Sequence, residues 1–180
     1  MAVLESIRNF FIAPSWPEEE EVAPAPATSY KILPLTADNL SDVLRLNLRC
    51  FRNGDNYTKY TFEYLFSEPR TLGYRVVSAA GEMVAFAFVM IKENNSAHLT
   101  TIGVAPEHRR RRIAGSLLAH LEKALQAREV NTIMLEVRVS NSAAHDLYRR
   151  WGYSVVQRIN RYYNNGEDCF LMMKSIGIYG

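Results

Sequence analysis

The chain has 180 residues, of which 48% are hydrophobic and 22% charged, and its formal net charge is +2. These values are typical of one globular domain, and so small a net charge does not by itself indicate a nucleic-acid or membrane partner. The two cysteines form no CxxC pair and the four histidines lack metal-ligand spacing, so we expect no zinc site. Without a span of roughly 20 apolar residues or a signal-peptide pattern, a cytoplasmic protein that does not enter a membrane is expected.

The first 29 residues differ in composition from the rest. A short apolar patch at residues 3–12 is followed by four consecutive glutamates at 18–21 and an alternating alanine–proline stretch at 23–27. Proline and clustered negative charge oppose regular packing, so we expect residues 1–29 to be a flexible extension, either a disordered tail or a docking peptide. The folded domain is expected to cover residues 30–176.

From residue 30 onward, apolar residues recur at regular intervals. Residues 30–35 alternate as a strand, and capping side chains at 36–38 introduce an amphipathic helix that ends near residue 53. An aromatic-rich helix at 57–66 precedes three strands at 74–79, 83–91 and 98–104, and a long helix covers 112–128. A strand at 132–139, a helix at 143–151 and two strands at 153–159 and 168–173 complete the order. This order predicts an α/β fold on a mixed sheet.

The junction between the strand at 98–104 and the helix at 112–128 is the most informative stretch. Four consecutive arginines at 109–112 precede the first turn of the helix, where backbone N–H groups lack intrahelical partners. Such a turn binds anions and suits a diphosphate, which the small residues Ala114 and Gly115 would let approach the backbone. The alternatives are a solvated charged turn and a nucleic-acid contact.

The basic loop resembles the acetyl-CoA motif of the GNAT acetyltransferase superfamily, Arg/Gln-x-x-Gly-x-Gly/Ala. Arg109 and Ala114 fit its first and last positions, and Arg112 stands where the family usually has glycine. If position 112 requires a positive φ, a residue other than glycine costs about 1 kcal/mol there.

A second stretch is similar to the RimI-type N-terminal acetyltransferases of that superfamily. Residues 135–144 read LEVRVSNSAA and residues 147–153 read LYRRWGY, where the group has LEVRxSNxxAxxLYxxxGF. Residues 161–163 and 166–168 match its late strand pair. The resemblance covers about residues 30–174. It implies the GNAT fold: a mixed, mostly antiparallel sheet of six to seven strands with a V-shaped splay between the fourth and fifth, flanked by about four helices.

The resemblance further implies acetyl-CoA as donor and an amine as acceptor, most simply the α-amino group of a protein N-terminus, as in ribosomal-protein acetylation. The residues it assigns to the coenzyme are Ile102, Gly103, Val104, Arg109, Arg110, Arg111, Arg112, Ile113, Ala114, Gly115, Ser116, Asn141, Ala144 and Tyr148. Asn141 could bond the pantetheine arm or cap the following helix, or do both.

Glu136 corresponds to the general base of the RimI-type enzymes, and Tyr148 to the general acid. Glu136 could instead be a structural carboxylate paired with Arg138 or Arg161, and Tyr148 could simply fill the core. His98 is a further candidate base, although a histidine at the start of a strand is more often a surface residue.

Acceptor recognition is expected from Phe51, Tyr57 and Tyr60 in the early loop and from Tyr162 and Tyr163 in the late hairpin, although aromatic residues are also ordinary core material. Two other functions remain open on the same scaffold. One is acetylation of a small amine or a lysine side chain; the other is a catalytically silent module that binds acyl-CoA or nucleic acid. We expect a monomer or a weak dimer and no metal.

Overall fold

Residues 22–51 and 56–177 are described by the structure, a computed structural model; residues 1–21, 52–55 and 178–180 lie outside the described residues. The predicted flexible extension therefore falls mostly on residues outside this range. Residues 22–29 have no regular secondary structure and lead into the first strand.

Seven strands of the described chain form one sheet in the order β1-β2-β3-β4-β5-β7-β6. Every neighbouring pair is antiparallel except β4 and β5, which are parallel. The strands are β1 (Tyr30–Pro34), β2 (Thr71–Ser78), β3 (Met83–Ile91), β4 (Ser96–Val104), β5 (Thr132–Arg138), β6 (Ser154–Ile159) and β7 (Cys169–Ser175). The predicted mixed, mostly antiparallel sheet is confirmed.

Four α-helices flank the sheet within the described residues: α1 (Leu40–Cys50), α2 (Lys59–Ser67), α3 (Ile113–Gln126) and α4 (Ser142–Arg150). Short side chains fix where two of them begin. The Thr58 side chain accepts the Thr61 N–H at 3.3 Å before α2, and Asn141 accepts the Ala144 N–H at 3.0 Å before α4. Each of these bonds satisfies one donor that the first helical turn cannot pair internally.

The core is centred on β3, of whose nine residues all but the last are buried. Such a continuous apolar run is typical of a strand covered on both faces, and both α1 and α3 pack against it. Phe62 of α2 adds an aromatic cluster, with its ring centroid 5.9 Å from that of Phe86 and 5.7 Å from that of Phe88.

The sheet opens between β4 and β5. Pairing joins Ser96–His98 to Thr132–Met134 and goes no further, although both strands continue. On its other side β4 bulges at Thr100, because Phe88 faces Thr101 while the next residue of β3, Val89, faces Leu99. A bulge bends its strand and increases the local twist. Beyond His98 the two strands therefore diverge, which confirms the predicted V-shaped splay.

None of the described helices combines the length and the apolar character that crossing a bilayer requires.

Candidate active site

Glu136 and His98 meet where the two central strands begin to diverge. Along β5 the residues Ile133, Leu135 and Val137 are buried on one face, which directs Glu136 to the opposite face. The His98 Nε2 atom lies 2.6 Å from Oε2 of Glu136, and the two side chains are 6% and 10% exposed. A carboxylate so enclosed requires a polar partner, and the imidazole provides it.

This contact changes two sequence-based expectations. His98 is buried, so the interpretation of a surface residue was wrong: its burial follows from the pairing of β4 with β5, which brings it against Glu136. Glu136 pairs with this histidine rather than with either arginine. Arg138 instead forms an ion pair with Glu167 at 2.7 Å, and the Arg161 backbone N–H donates to Asp168 at 2.8 Å.

Tyr57 reaches the same opening from the chain between α1 and α2. Its hydroxyl donates to the Thr100 carbonyl at 2.9 Å, and this hydrogen bond stabilises the bulge of β4. Burial raises the pKa of Tyr57, and electrostatic interactions with the Glu136 carboxylate and with Tyr162 raise it further. The hydroxyl therefore stays protonated at neutral pH and remains a donor. Tyr57 therefore lies within electrostatic range of both Glu136 and Tyr162.

Cys169 of β7 is a residue that the sequence did not single out. It is fully buried opposite Arg138 in the β5–β7 pairing, on the face of β5 that carries Glu136. Burial raises the pKa of the Cys169 thiol to about 12, and the Glu136 carboxylate contributes to this rise. The thiol is therefore neutral and forms a small apolar wall beside the carboxylate. No local sequence signal could have revealed this role.

Hydrogen bonds, an ion pair and a cation–π contact connect the loop between β6 and β7 to the end of β5. Buried Arg138 donates to Asn165 at 3.2 Å as well as to Glu167, and its guanidinium lies 3.7 Å from the centre of the Tyr163 ring. Glu167 also accepts the Ser140 N–H at 3.0 Å. Tyr162 packs edge-on against Tyr163, with ring centroids 5.1 Å apart. The late tyrosines are thus held in place by a charged network.

The five predicted acceptor residues do not all come together. Tyr57 lies within electrostatic range of Glu136 and of Tyr162, and Tyr163 packs on Arg138. Phe51 is half-buried against the core at the end of α1. Tyr60 is 78% exposed on α2, and no contact among the described residues joins it to Glu136. The structure therefore does not bring Tyr60 to the site.

Tyr148 lies on α4 with 7% of its surface exposed, and its ring packs edge-on against Tyr153 at 5.6 Å. Burial raises the pKa of Tyr148, so its hydroxyl carries a proton throughout the physiological range. The side chain of Asn141 caps α4, as one of its two expected roles requires. Ala144 is half-buried in the first turn of the same helix.

The loop before α3 holds two arginines in the left-handed region, Arg110 with φ 60° and Arg112 with φ 63°. The positive φ considered for position 112 is therefore confirmed. Each such residue other than glycine costs about 1 kcal/mol of strain. The first helical bond joins the Ser116 N–H to the Arg112 carbonyl at 3.0 Å, and the Ser116 hydroxyl donates to the same carbonyl. The N–H groups of the three preceding residues are left to point out of the helix end.

Gly115 has a packing role in addition to the coenzyme role expected of it. A Cβ atom built on Gly115 would lie 2.6 Å from Cζ2 of Trp151, which is closer than real contacts allow. The missing side chain therefore lets Trp151 at the end of α4 pack against α3. On β4, a Cβ atom at Gly103 would lie 3.0 Å from Phe86 and 3.1 Å from the sulfur of Cys50. That glycine allows β4 to pack closely on α1.

The four arginines of the loop have different surroundings. Arg109 is exposed and donates to the Val104 carbonyl at 3.4 Å and to the Cys50 carbonyl at 3.5 Å. Arg110 and Arg112 are exposed. Arg111 is half-buried, and its guanidinium donates to backbone carbonyls of the segment that precedes β1.

These features suit a ligand with an extended arm and a diphosphate. Beyond His98 the backbone of β4, including Ile102 and Val104, is not paired with β5, so an extended arm can lie along it. The N–H groups of Ile113 and Ala114 point outward and can donate hydrogen bonds to a diphosphate. The positive charges of Arg110 and Arg112, which are near them in the chain, add electrostatic attraction.

Comparison with known proteins agrees with this geometry. The acetyltransferase (GNAT) family matches residues 40–153. A catalytic subunit of the N-terminal acetyltransferase A complex, NAA10 of Arabidopsis thaliana, is 31% identical over 147 residues, which cover 78% of this chain and 75% of that protein. The [ribosomal protein bS18]-alanine N-acetyltransferase of Escherichia coli is 36% identical over 101 residues, or 54% of this chain and 68% of that enzyme.

The fold is shared with solved structures. The crystal structure of the ribosomal-protein-S18-alanine N-acetyltransferase from Escherichia coli superimposes with a TM-score of 0.77 at 30% identity, over 84% of this chain and 97% of that one. Arabidopsis thaliana NAA60 in complex with acetyl-CoA shares the fold at 19% identity, with a TM-score of 0.73 over 84% of this chain and all of that one.

Proposed function

Because the chain belongs to the GNAT acetyltransferase family, we propose that it acetylates the α-amino group of a protein N-terminus, with a ribosomal protein as acceptor. It is an N-acetyltransferase, and acetyl-CoA is its donor. When bound, acetyl-CoA supplies the acetyl group and departs as a thiol. The observation that carries the proposal is the buried Glu136–His98 pair at the mouth of the splay.

Glu136 is proposed as the general base. An α-amino group is mostly protonated at neutral pH and must lose a proton before it can act as a nucleophile. The Oε2 atom of Glu136 can accept that proton directly or through a water molecule. The imidazole of His98 donates its Nε2–H to the carboxylate and holds it in place, which leaves Nδ1, 3.5 Å from the Thr100 hydroxyl oxygen, as the acceptor of the neutral ring. Base and partner thus act as one unit.

Tyr148 is proposed as the proton donor to the departing sulfur. The pKa of its hydroxyl is raised by burial, which keeps the proton in place until the sulfur becomes basic. Backbone N–H groups of β4 beyond His98 are proposed to stabilise negative charge on the acetyl oxygen, which suits them because they are not paired with β5. Tyr57 supports this part of β4 by fixing the bulge at Thr100.

The α-amino acceptor is supported by the relatives and by the loops around Glu136. The plant and bacterial relatives are named for acetylation of protein N-termini and of the ribosomal protein bS18 alanine. In this chain Tyr57 precedes α2 and Tyr162 lies between β6 and β7, and Tyr57 is within electrostatic range of both Glu136 and Tyr162. Aromatic side chains close to a base are suited to hold the first residue of a peptide and to direct its amino group toward the carboxylate.

A peptide-library assay with mass spectrometry tests the acceptor. The library contains peptides with a free N-terminus and no lysine, and matched peptides with a blocked N-terminus and one internal lysine. We expect acetylation of the first set and little of the second, with the N-terminus of ribosomal protein bS18 among the preferred acceptors. If the blocked, lysine-containing peptides are the better acceptors, the α-amino proposal fails while the acetyltransferase activity stands.

A further inference from the structure

The segment before β1 crosses the basic loop and is bonded to it on both sides of Arg109 and Arg110. The Ala25 N–H donates to the Glu107 carbonyl at 2.9 Å. Arg111 donates to the Pro26 carbonyl at 2.8 Å and also to the Ala25 carbonyl. Further along, the Thr28 hydroxyl accepts the Ala79 N–H at 3.2 Å, which ties the segment to the end of β2. We call residues 25–28 the strap.

The residues that hold the strap are themselves fixed by the folded domain. Nη1 of Arg111 also donates to the Tyr30 hydroxyl at 3.0 Å, and that hydroxyl is hydrogen-bonded to Nδ1 of buried His108 at 2.9 Å. The Glu107 carboxylate forms an ion pair with Arg49 of α1. The loop is therefore held from the side of α1 at residue 107 and from the strap at residue 111.

From this arrangement we propose that the strap holds the loop at residues 109–112 in its coenzyme-binding conformation, and that Arg111 is a positioning residue that does not contact phosphate. The left-handed residues Arg110 and Arg112 flank Arg111 in the chain. Strained backbone of this kind persists only where surrounding contacts determine it. Without the strap the loop relaxes, and the N–H groups at the start of α3 no longer converge on one anion.

This inference rests on the proposed coenzyme site at the loop and adds to it a role for chain that precedes the folded domain. It also divides the arginine run by function. The guanidinium of Arg111 is engaged by two backbone carbonyls and a tyrosine hydroxyl, whereas Arg110 and Arg112 remain exposed beside the helix end. The residues of the strap, two alanines, a proline and a threonine, give no indication of this role, because two backbone carbonyls and one backbone N–H make its contacts with the loop.

Two single variants of the full chain test the strap. Arg111→Met removes the donors to the carbonyls, and Ala25→Pro removes the N–H that Glu107 accepts without changing any charge. Proline fits at residue 25 because that residue already lies between Pro24 and Pro26. The matched controls are Arg128→Met, just beyond the end of α3, whose guanidinium donates to the Ala124 carbonyl of that helix, and Ala27→Pro, at an exposed strap position.

The Kd for acetyl-CoA is measured by calorimetry, and kcat at saturating acetyl-CoA with an acceptor peptide from the library. Arg111→Met and Ala25→Pro are each expected to raise Kd about five- to tenfold, the loss of one or two net hydrogen bonds, and to leave kcat within about twofold. The controls are expected to match the wild type. Because both variants release the same strap, the double variant should raise Kd little beyond the larger single effect.

Different failures have different meanings. If the Ala25→Pro protein binds acetyl-CoA as tightly as the Ala27→Pro protein, the strap does not hold the loop in its coenzyme-binding conformation. Effects that multiply in the double variant overturn the positioning role, because they indicate that Arg111 contacts the coenzyme directly. A wild-type protein that acetyl-CoA does not saturate refutes the coenzyme site itself. Thermal unfolding of each variant without coenzyme identifies any loss of affinity that comes from a misfolded domain.

Discussion

The loop at residues 109–112 and the strand β5 contribute to the same proposed site by opposite means. The loop departs from regular geometry, carries arginines at two left-handed positions, and is held by contacts from distant parts of the chain. Strand β5 is regular, and its alternation alone directs Glu136 away from the buried face. The geometry of the loop thus depends on contacts with distant residues, whereas the position of Glu136 depends only on the alternation of side chains along a strand. The following variants test this difference.

The largest effect is expected for Glu136→Gln. Glutamine keeps the shape of the side chain and a hydrogen bond to His98 but cannot accept the proton, so kcat should fall about 100- to 1,000-fold. Acetyl-CoA affinity should be unchanged, which calorimetry checks. Glu122→Gln is the matched control, since Glu122 is also an enclosed carboxylate but pairs with Lys174 at 2.7 Å. A Glu136→Gln enzyme within about tenfold of the wild-type rate removes Glu136 as the base.

Tyr148→Phe should lower kcat by about 10- to 100-fold, because the loss of a positioned proton donor has an effect toward the lower end of acid catalysis. Tyr153→Phe is the control. Tyr153 lies in ring contact with Tyr148, and within the described chain its buried hydroxyl has no hydrogen-bond partner. Steady-state kinetics of the two variants distinguish a loss of kcat caused by the missing proton donor from one caused by altered packing. Equal rate losses in both would show that Tyr148 acts by filling the core.

A third variant examines how the ends of α3 and α4 meet. Gly115→Ala forces a methyl group into the space of Trp151 and should lower the free energy of unfolding by about 1–3 kcal/mol. Urea denaturation measures it, with the neighbouring exposed Ser116→Ala as control. Trp151→Phe in the Gly115→Ala background should recover part of the loss. An unchanged unfolding midpoint in Gly115→Ala would mean that the two helices can move apart without cost.

The same contrast explains how much could be predicted from sequence. Glu136 and Tyr148 lie in regular elements and Asn141 caps one of them, and a linear motif located all three. The burial of His98 depends on pairing between β4 and β5, strands that lie about 30 residues apart in sequence, and the neutral thiol of Cys169 depends on β7. The strap contacts the loop through backbone carbonyls and one backbone N–H, groups that identify no particular side chain. The local sequence therefore predicted the helices and strands and the motif residues on them. It did not predict the contacts between segments that lie far apart in the chain.

A smaller effect is expected at the late loop, in the pH dependence of stability. Burial raises the pKa of Glu167, but hydrogen bonds from Ser140 and the Arg138 guanidinium outweigh it and hold the pKa below its usual range. The folded state then binds fewer protons than the unfolded state, so the stabilisation is complete above the unfolded pKa of about 4.3 and is lost as pH falls through the lower folded value.

Glu167→Gln should therefore lower the free energy of unfolding by about 1–2 kcal/mol at pH 7. The difference from the wild type should shrink below about pH 4. Urea denaturation at several pH values measures it, and Glu63→Gln, in an exposed pair with Lys59, is the control. A difference that stays constant from pH 7 to pH 3 would show that the charge of Glu167 does not stabilise the loop.

The smallest effect on stability, and the sharpest test of the contrast, concerns Arg112. Gly and Ala at this position remove the same charge, but only glycine adopts φ 63° freely. Arg112→Gly should change the free energy of unfolding by less than about 1 kcal/mol, since the strain it relieves is offset by greater freedom of the unfolded chain. Arg112→Ala keeps a Cβ atom at the positive φ and should be less stable than Arg112→Gly, but by no more than about 1 kcal/mol, because the same offset applies. In the Ala25→Pro background the glycine variant should bind acetyl-CoA more tightly than the alanine variant, because a loop that favours the left-handed conformation no longer needs the strap. Equal affinities in that background would show that the strap acts on the coenzyme site by some route other than the strain at residue 112.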